Sequence, residues 1–355
     1  MSVRQTRQTR PLVVPVFLPH AGCPHRCLFC NQQAVTGGSD ARPDPSRIRA
    51  HIDSFLSASR RRPLVEIAFF GGTFLGLPKT AVDRMLALAA EFVADGRADG
   101  IRFSTRPDTV DPRRIDWIRR YPVTTVELGV QSLDDRVLSE CRRGHTPADA
   151  AAAIDRIRSV GCRIGMQLMI GLPGQGRASV LETASLAADL APDFVRIYPT
   201  LVLEGSPLAE RYRKGRFLPL SLEDAVEQAA AAYRLFAERG IPVVRMGLQP
   251  TADLESGGRI LAGPYHPAFG EQVRSAALHE KLAQAMNRIR LRGKTVRITV
   301  HPTRESQLRG PGSHHLQRLA ERFGAGKAVA TKDVGLDPDA IRIEAGGQRH
   351  QVRIF

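Results

Sequence analysis

Cysteine is scarce in this chain, five in 355 residues, and three of the five fall between positions 23 and 30. That spacing excludes a disulfide framework and points to a metal site in a reducing compartment, which makes the cytoplasm the expected location. No run of about 18 uncharged apolar residues occurs, so no membrane-spanning helix and no membrane association is expected. The basic opening MSVRQTRQTR leads into no apolar signal core, so secretion is not indicated. Aromatic residues make up only 6 %, with a single tryptophan, Trp117, whose helical surroundings read as core. Acid is in short supply too: 36 Asp and Glu stand against 51 Lys and Arg, a net charge of +15. Residues 272–355 hold 16 Lys and Arg against 7 Asp and Glu, so nine of those fifteen charges sit in the last quarter of the chain. A polyanion such as RNA is the partner such a surface suits, a compositional bias toward arginine being the plainer account.

What remains is ordinary for a globular protein, 43 % apolar and 25 % charged, and long enough for one large core with a small appendage. Short apolar runs bounded by Gly or Pro recur at Val13–Phe17, Glu66–Phe70, Ile101–Ser104, Thr125–Gly129, Arg163–Ile170, Phe194–Tyr198 and Val243–Gly247. They read as strands buried on both faces. Helical patterns alternate with them: Ala81–Val93 has apolar residues at helical spacing. Thr146-Pro147-Ala148-Asp149 and Ser221-Leu222-Glu223-Asp224 open two more, which Gly161 and Gly240 close. About six strand–helix units imply a parallel sheet with right-handed crossovers. A closed eight-unit barrel needs about 250 residues. The expected fold is therefore α/β, a partial TIM-like barrel of (β/α)6 type, with a doubly wound open sheet as the alternative. In either, the active site belongs at the C-terminal ends of the strands.

After about residue 250 the pattern changes. Gly257-Gly258 and Gly263–Pro267 mark a loop, then a basic helix over Glu271–Leu291, a strand at Thr295–Val300, a helix at Leu316–Phe323 and strands at Lys327–Thr331 and Ala340–Glu344. The expected organisation is a basic tail over 1–11, a catalytic core over 12–250 and a small basic α+β appendage over 251–355.

The first strand runs into Ala21-Gly22-Cys23-Pro24-His25-Arg26-Cys27-Leu28-Phe29-Cys30-Asn31. Thiolates are the natural ligands of iron–sulfur clusters, and a full protein cage for a 4Fe–4S cluster takes four. Three leave one iron open. A zinc site would need a fourth ligand, which His20 or His25 can supply. The i, i+4, i+7 spacing also fits one face of a helix, although Gly22 and Pro24 favour a loop.

Six motifs in fixed order resemble the radical S-adenosylmethionine (SAM) superfamily, and within it the radical SAM domain of the Elongator catalytic subunit. They are CPHRCLFC, Phe69-Phe70-Gly71-Gly72-Thr73-Phe74, Ser104-Thr105-Arg106-Pro107-Asp108, Val126-Glu127-Leu128-Gly129-Val130-Gln131-Ser132, Arg143-Gly144-His145-Thr146 and Met169-Ile170-Gly171-Leu172-Pro173-Gly174. The resemblance covers roughly residues 12–250. It implies a 4Fe–4S cluster on Cys23, Cys27 and Cys30, with SAM on the open iron, cleaved by electron transfer to a 5′-deoxyadenosyl radical that abstracts hydrogen. It also implies that Gly71, Gly72, Thr73, Ser104, Arg106, Glu127, Gln131, Gly171 and Arg196 contact SAM. Each has a plain local alternative: a turn for the glycines, an ordinary ion pair for Glu127 and the arginines.

The basic appendage is too short for the acetyltransferase fold of the Elongator subunit. Gly247–Thr251 and Gly263–Pro267 are similar to segments of short stand-alone bacterial relatives. Tyr265 and His266 are candidate donors of a hydrogen atom or proton, with proline-bracketed loop residues as the alternative. Cys141 and Cys162 read as buried small hydrophobes, and His314-His315 as no metal site. The expected partners are tRNA or another RNA, engaged in part through Arg288, Arg290 and Arg292, and a low-potential electron donor such as a flavodoxin or ferredoxin. A radical SAM oxidase or transferase on a small metabolite, and a non-catalytic zinc-containing RNA-binding protein, are the competing functions.

Overall fold

Apolar runs too short for helices become strands in the computed structural model, which describes residues 11–18, 21–31, 44–59, 63–248, 259–310 and 314–354. Residues 1–10 of the basic tail, His20, Gln249–Thr251 and Gly257-Gly258 lie outside the described residues. In chain order the strands are β1 (Leu12–Leu18), β2 (Val65–Gly71), β3 (Gly100–Thr105), β4 (Val123–Gln131), β5 (Arg163–Ile170), β6 (Phe194–Pro199), β7 (Val202–Leu203), β8 (Val243–Met246), β9 (Ile260–Ala262), β10 (Thr295–Val300), β11 (Lys327–Lys332), β12 (Ala340–Ala345) and β13 (Gln348–Arg353).

Seven of them form one sheet in the order β1-β2-β3-β4-β5-β6-β8, and every neighbouring pair is parallel. This is the partial barrel expected from the sequence, six strand–helix units closed off by a seventh strand. Helices cover it because β2, with Val65 to Phe69 all buried, offers no solvent face. Their ends follow local chemistry. Thr146 and Asp149 cap the Pro147–Ser159 helix reciprocally, and the Ser221 side chain accepts from Asp224 N at the head of Leu222–Glu238. The latter helix buries Ala225, Ala229, Ala230 and Ala232 and so packs closely on the sheet. No described helix is long and apolar enough to cross a membrane.

Four strands form a second sheet, β11-β10-β12-β13. The last of them, Gln348–Arg353, is not visible in the sequence pattern because five of its six residues are polar and exposed. The helix joining the two sheets spans Phe269–Met286 and stops short of the expected Leu291. One end of it, with Phe269, Val273 and Ala277, belongs to the large core. The other, with Leu278, Leu282 and Met286, belongs to the small one beside Val296, Ile298 and Ile343. Arg234 pairs with Glu280, and Lys281 with Glu238.

Polar groups pin the shorter helices of the appendage to this rod. Ser275 Oγ donates to Gln307 O at 2.7 Å, and the His279 ring bonds the same carbonyl at 3.2 Å. His315 Nδ1 lies 3.2 Å from Ser275 Oγ, and the two imidazoles meet edge to face at 4.6 Å. Burial, then His315, pushes the His279 pKa down to about 4. An imidazole whose folded pKa lies below its unfolded value near 6.5 contributes stability that is complete above pH 6.5 and is lost as pH falls toward 4. Between pH 7 and 5 the expected loss is about 2 kcal/mol. His279→Gln keeps a donor to Gln307 but takes up no proton, so urea unfolding at the two pH values should show a smaller difference than in the wild type; an equal difference would exclude His279 as the source.

Candidate active site

Strand β1 ends at Leu18, and the cysteine loop lies across the exit of β2. The seat has no room for side chains. A Cβ on Gly72 would stand 2.1 Å from Ala21 O, one on Gly76 2.1 Å from Gly22 O, and one on Gly22, at φ +71°, 2.3 Å from Thr73 O. Thr73 N donates to Ala21 O at 2.8 Å, and Thr73 Oγ1 shares a hydrogen bond of 3.2 Å with Cys23 Sγ. Gly72, expected at a ligand, thus receives the cysteine loop itself. Gly71, at φ +104°, turns the end of β2 past Leu18.

Two arginines converge on the second cysteine. Arg143 donates through one terminal nitrogen to Cys27 Sγ at 3.0 Å and through the other to Gly129 O. Arg106 reaches the same sulfur at 3.6 Å. Asp108 fixes Arg106 with bonds of 2.9 and 3.1 Å, and Arg106 in turn donates to Arg143 O. All of Cys27, Arg106 and Arg143 are buried. Leu28 N donates to Cys141 O at 3.0 Å, tying the loop to the turn that carries Arg143. His145 completes that turn, its ring 3.2 Å from Val130 O. Burial and then Arg143 push its pKa down to about 4, so it is neutral near pH 7.

A bulge brings Gln131 to this place. Gly129 pairs with Gln167 and Gln131 with Leu168, so Val130 has no partner on β5, and Gln131 takes φ +69°. Ser104 lies beside Leu18, Phe69, Gly72 and Phe74 at the ends of β1 to β3. Gly171, at φ +73°, opens the turn after β5, which Gln175 staples by accepting from Leu172 N at 3.1 Å.

Glu127 and Arg196 sit deeper and are occupied with each other. Glu127 Oε2 is 2.7 Å from Arg196 Nε, and Glu127 Oε1 accepts from Arg102 at 2.9 Å and from Arg196 at 3.0 Å. Arg102 also pairs with buried Glu66, whose other oxygen accepts from Thr124 at 2.8 Å and Thr125 at 2.7 Å. Two carboxylates and two guanidiniums cancel inside the barrel.

Tyr265 and His266 follow β9, which pairs with β7 just beyond β6, so they stand at the same end of the sheet as the cysteine loop. His266 Nδ1 accepts from Ala268 N at 3.0 Å, which leaves the ring proton of the neutral form on Nε2. Cys141 is the buried thiol expected, whereas Cys162 is only half-buried and donates to Val123 O at 3.3 Å; burial raises the two to about 12 and about 11. Trp117 packs against the large core.

Sequence reasoning missed Arg143 and His145 as site residues, although the Arg-Gly-His-Thr segment that carries them was recognisable. It also missed Arg102 and Glu66, which polar residues inside two apolar strands betray. The donor set fits an iron–sulfur cluster: three thiols on one loop, guanidiniums on one of them, and buried polar atoms beside it (Gln131 Oε1, Arg143 Nε, His145 Nδ1) that have no hydrogen-bond partner among the described residues. A ready-made mononuclear ion site is another matter, since no three His, Cys, Asp or Glu groups gather as one among the described residues.

Residues 17–187 match the radical SAM superfamily, and 192–280 the radical SAM C-terminal domain. A tRNA uridine(34) acetyltransferase of Methanocaldococcus infernus is 29 % identical over 254 residues, 61 % of this chain and 48 % of that protein. Protein YhcC of Escherichia coli is 26 % identical over 219 residues, 58 % of this chain and 69 % of that one. The chain spans about half the length of the acetyltransferases it matches. In fold it is similar to an archaeal Methanocaldococcus infernus Elp3 lacking its N-terminus, with a TM-score of 0.58 at 21 % identity over 94 % of this chain and 74 % of that one.

Removing a group that orients a metal ligand typically costs 10- to 100-fold in metal affinity. Arg143→Met should therefore lower cluster retention about 10-fold, read as iron and sulfide per chain after a chelator challenge. Retention equal to the wild type would make Arg143 a packing residue only.

Proposed function

Because the chain belongs to the radical SAM superfamily, whose cofactors are a 4Fe–4S cluster and SAM, we propose that it holds the cluster on Cys23, Cys27 and Cys30, cleaves SAM reductively and abstracts hydrogen from an RNA substrate, with tRNA the class favoured. The observation that carries this is the three-thiol loop seated on the glycine exit of β2 with the Arg143 and Arg106 guanidiniums on Cys27. Held by Cys23, Cys27 and Cys30, such a cluster would supply the electron for reductive cleavage of SAM.

The chain's own groups do the rest. Arg143 and Arg106 stabilise negative charge on Cys27 and have the fork geometry for a carboxylate. Gly71, Thr73, Ser104 and Gln131 would hold SAM at the strand exits, with Gly171 toward its adenine, while Gly72 seats the cysteine loop. The balanced Glu66–Arg102–Glu127–Arg196 set closes the barrel interior below with no net charge, which keeps water and stray protons away from a radical. In this account Glu127 and Arg196 shape the site from beneath. Tyr265 and His266, at the strand ends, supply a hydrogen atom or a proton to the substrate, His266 from Nε2.

RNA is favoured by the relatives named as tRNA-modifying enzymes and by the basic appendage. Residues 12–250 are then the catalytic core and 251–355 the RNA-facing part. The electron comes from a flavodoxin or ferredoxin, and the setting is the cytoplasm.

Anaerobic reconstitution with iron and sulfide should give broad absorption near about 400 nm. On reduction with SAM the wild type should form 5′-deoxyadenosine, and Cys27→Ala at most about a hundredth as much. Zinc binding without iron, or equal yields from both, would overturn the assignment.

A further inference from the structure

We propose that the open face of the appendage sheet, through Arg297, Arg349 and Arg353, is a docking surface for the phosphodiester backbone of folded RNA. The proposal deepens the RNA reading above and rests on it. Pairing register decides which side chains share that face. Arg297 on β10 lies opposite Glu344 on β12, which lies opposite Arg349 on β13; Ala340 lies opposite Arg353, and Thr295 opposite Lys327 on β11. The alternate residues, Val296, Ile298, Ile341 and Ile343, are buried under the helices. One side of the sheet is therefore core; on the other Thr299 and Ala340 are covered, while Arg297, Lys327, Arg349 and Arg353 are exposed.

Charge then identifies the occupant. Five cations share the face, and two of them are balanced: Arg342 by Asp333 at 3.0 Å and Arg349, more loosely, by Glu344 at 3.7 Å. Arg297, Lys327 and Arg353 have no acid within ion-pair distance among the described residues. Strand spacing puts Arg297 and Arg353 roughly 10 Å apart across the sheet and about 13 Å along it, a span of several phosphates. The turn entering β10 adds Arg288, Arg290 and Arg292, all exposed.

The face carries no aromatic side chain, and its apolar members are only Val329 and Ala340. Bases therefore have nothing to stack on, and a lipid surface has nothing apolar to take up. Guanidinium forks on a flat lattice suit phosphate, and recognition by shape and backbone is the mode proteins use on paired RNA.

The test uses the full chain and an unmodified tRNA transcript, with anisotropy titrations from 50 to 200 mM KCl. Arg297→Glu/Arg353→Glu should weaken binding at least about 10-fold and reduce the slope of log affinity against log salt by about two. Arg158→Glu/Arg239→Glu, an equal charge change at the opposite end of the barrel helices, should leave both near wild type. Cluster content and 5′-deoxyadenosine yield should be unchanged in both variants. Equal weakening by the two pairs, or none by the first, overturns the docking face and leaves radical SAM chemistry intact. No tRNA binding by the wild type, with 5′-deoxyadenosine still formed, overturns the RNA reading as well. Phosphatidylserine vesicles bound as tightly through the same two arginines would assign the face to lipid instead.

Discussion

Where β1 and β2 leave the sheet, the carbonyls of Ala21 and Gly22 occupy the volume in which side chains at Gly72 and Gly76 would begin. Main chain against main chain is the closest approach two loops can make. It leaves the cysteine loop only one height and one tilt above the strand ends. Cys23 is then held at Thr73, and Cys27 meets the guanidiniums that come from the exit of β3 and from the turn after the Asp135–Glu140 helix. Remove the contact, and four strand exits lose their common reference.

Charge is distributed around this seat in two opposite ways. Above, two buried guanidiniums with one fixing carboxylate, Asp108, leave a positive excess against a sulfur. Below, Glu66, Arg102, Glu127 and Arg196 sum to zero and satisfy one another through hydrogen bonds. A buried set of that kind adds little net stability, since desolvation offsets most of the attraction. Its value here is dielectric: polar side chains fill the barrel without leaving a field that would compete with the one at Cys27.

All seven core strands were legible in the sequence, because the inner ones are buried on both faces as largely apolar runs, and the edge strands β1 and β8 are short apolar runs that follow a proline. Helices with capping residues, such as those opening at Thr146 and Ser221, were legible for the same local reason. Strand β13 was not, since an edge strand with an open face carries no hydrophobic signature. The cysteines announced themselves by spacing. Glu127 and Arg196 were recognisable as important, but their mutual pairing was not, because it depends on which strands become neighbours. Arg143 escaped notice for a similar reason: the positive φ values at Arg142 and Gly144 aim it back toward β1, and a turn's direction is not written in residue type alone.

The bulge in β4 stores its information differently from every other part of the site. Val130 is an extra residue, unpaired on β5, and its carbonyl is taken up by the neutral His145 ring. What places Gln131 is therefore a count of residues rather than their chemistry. Substitutions can drift through this stretch while the count survives. The loss of one codon would instead rotate everything from Gln131 to the Arg143 turn to the wrong face. Across divergent members of such a lineage, length here should be kept more strictly than identity.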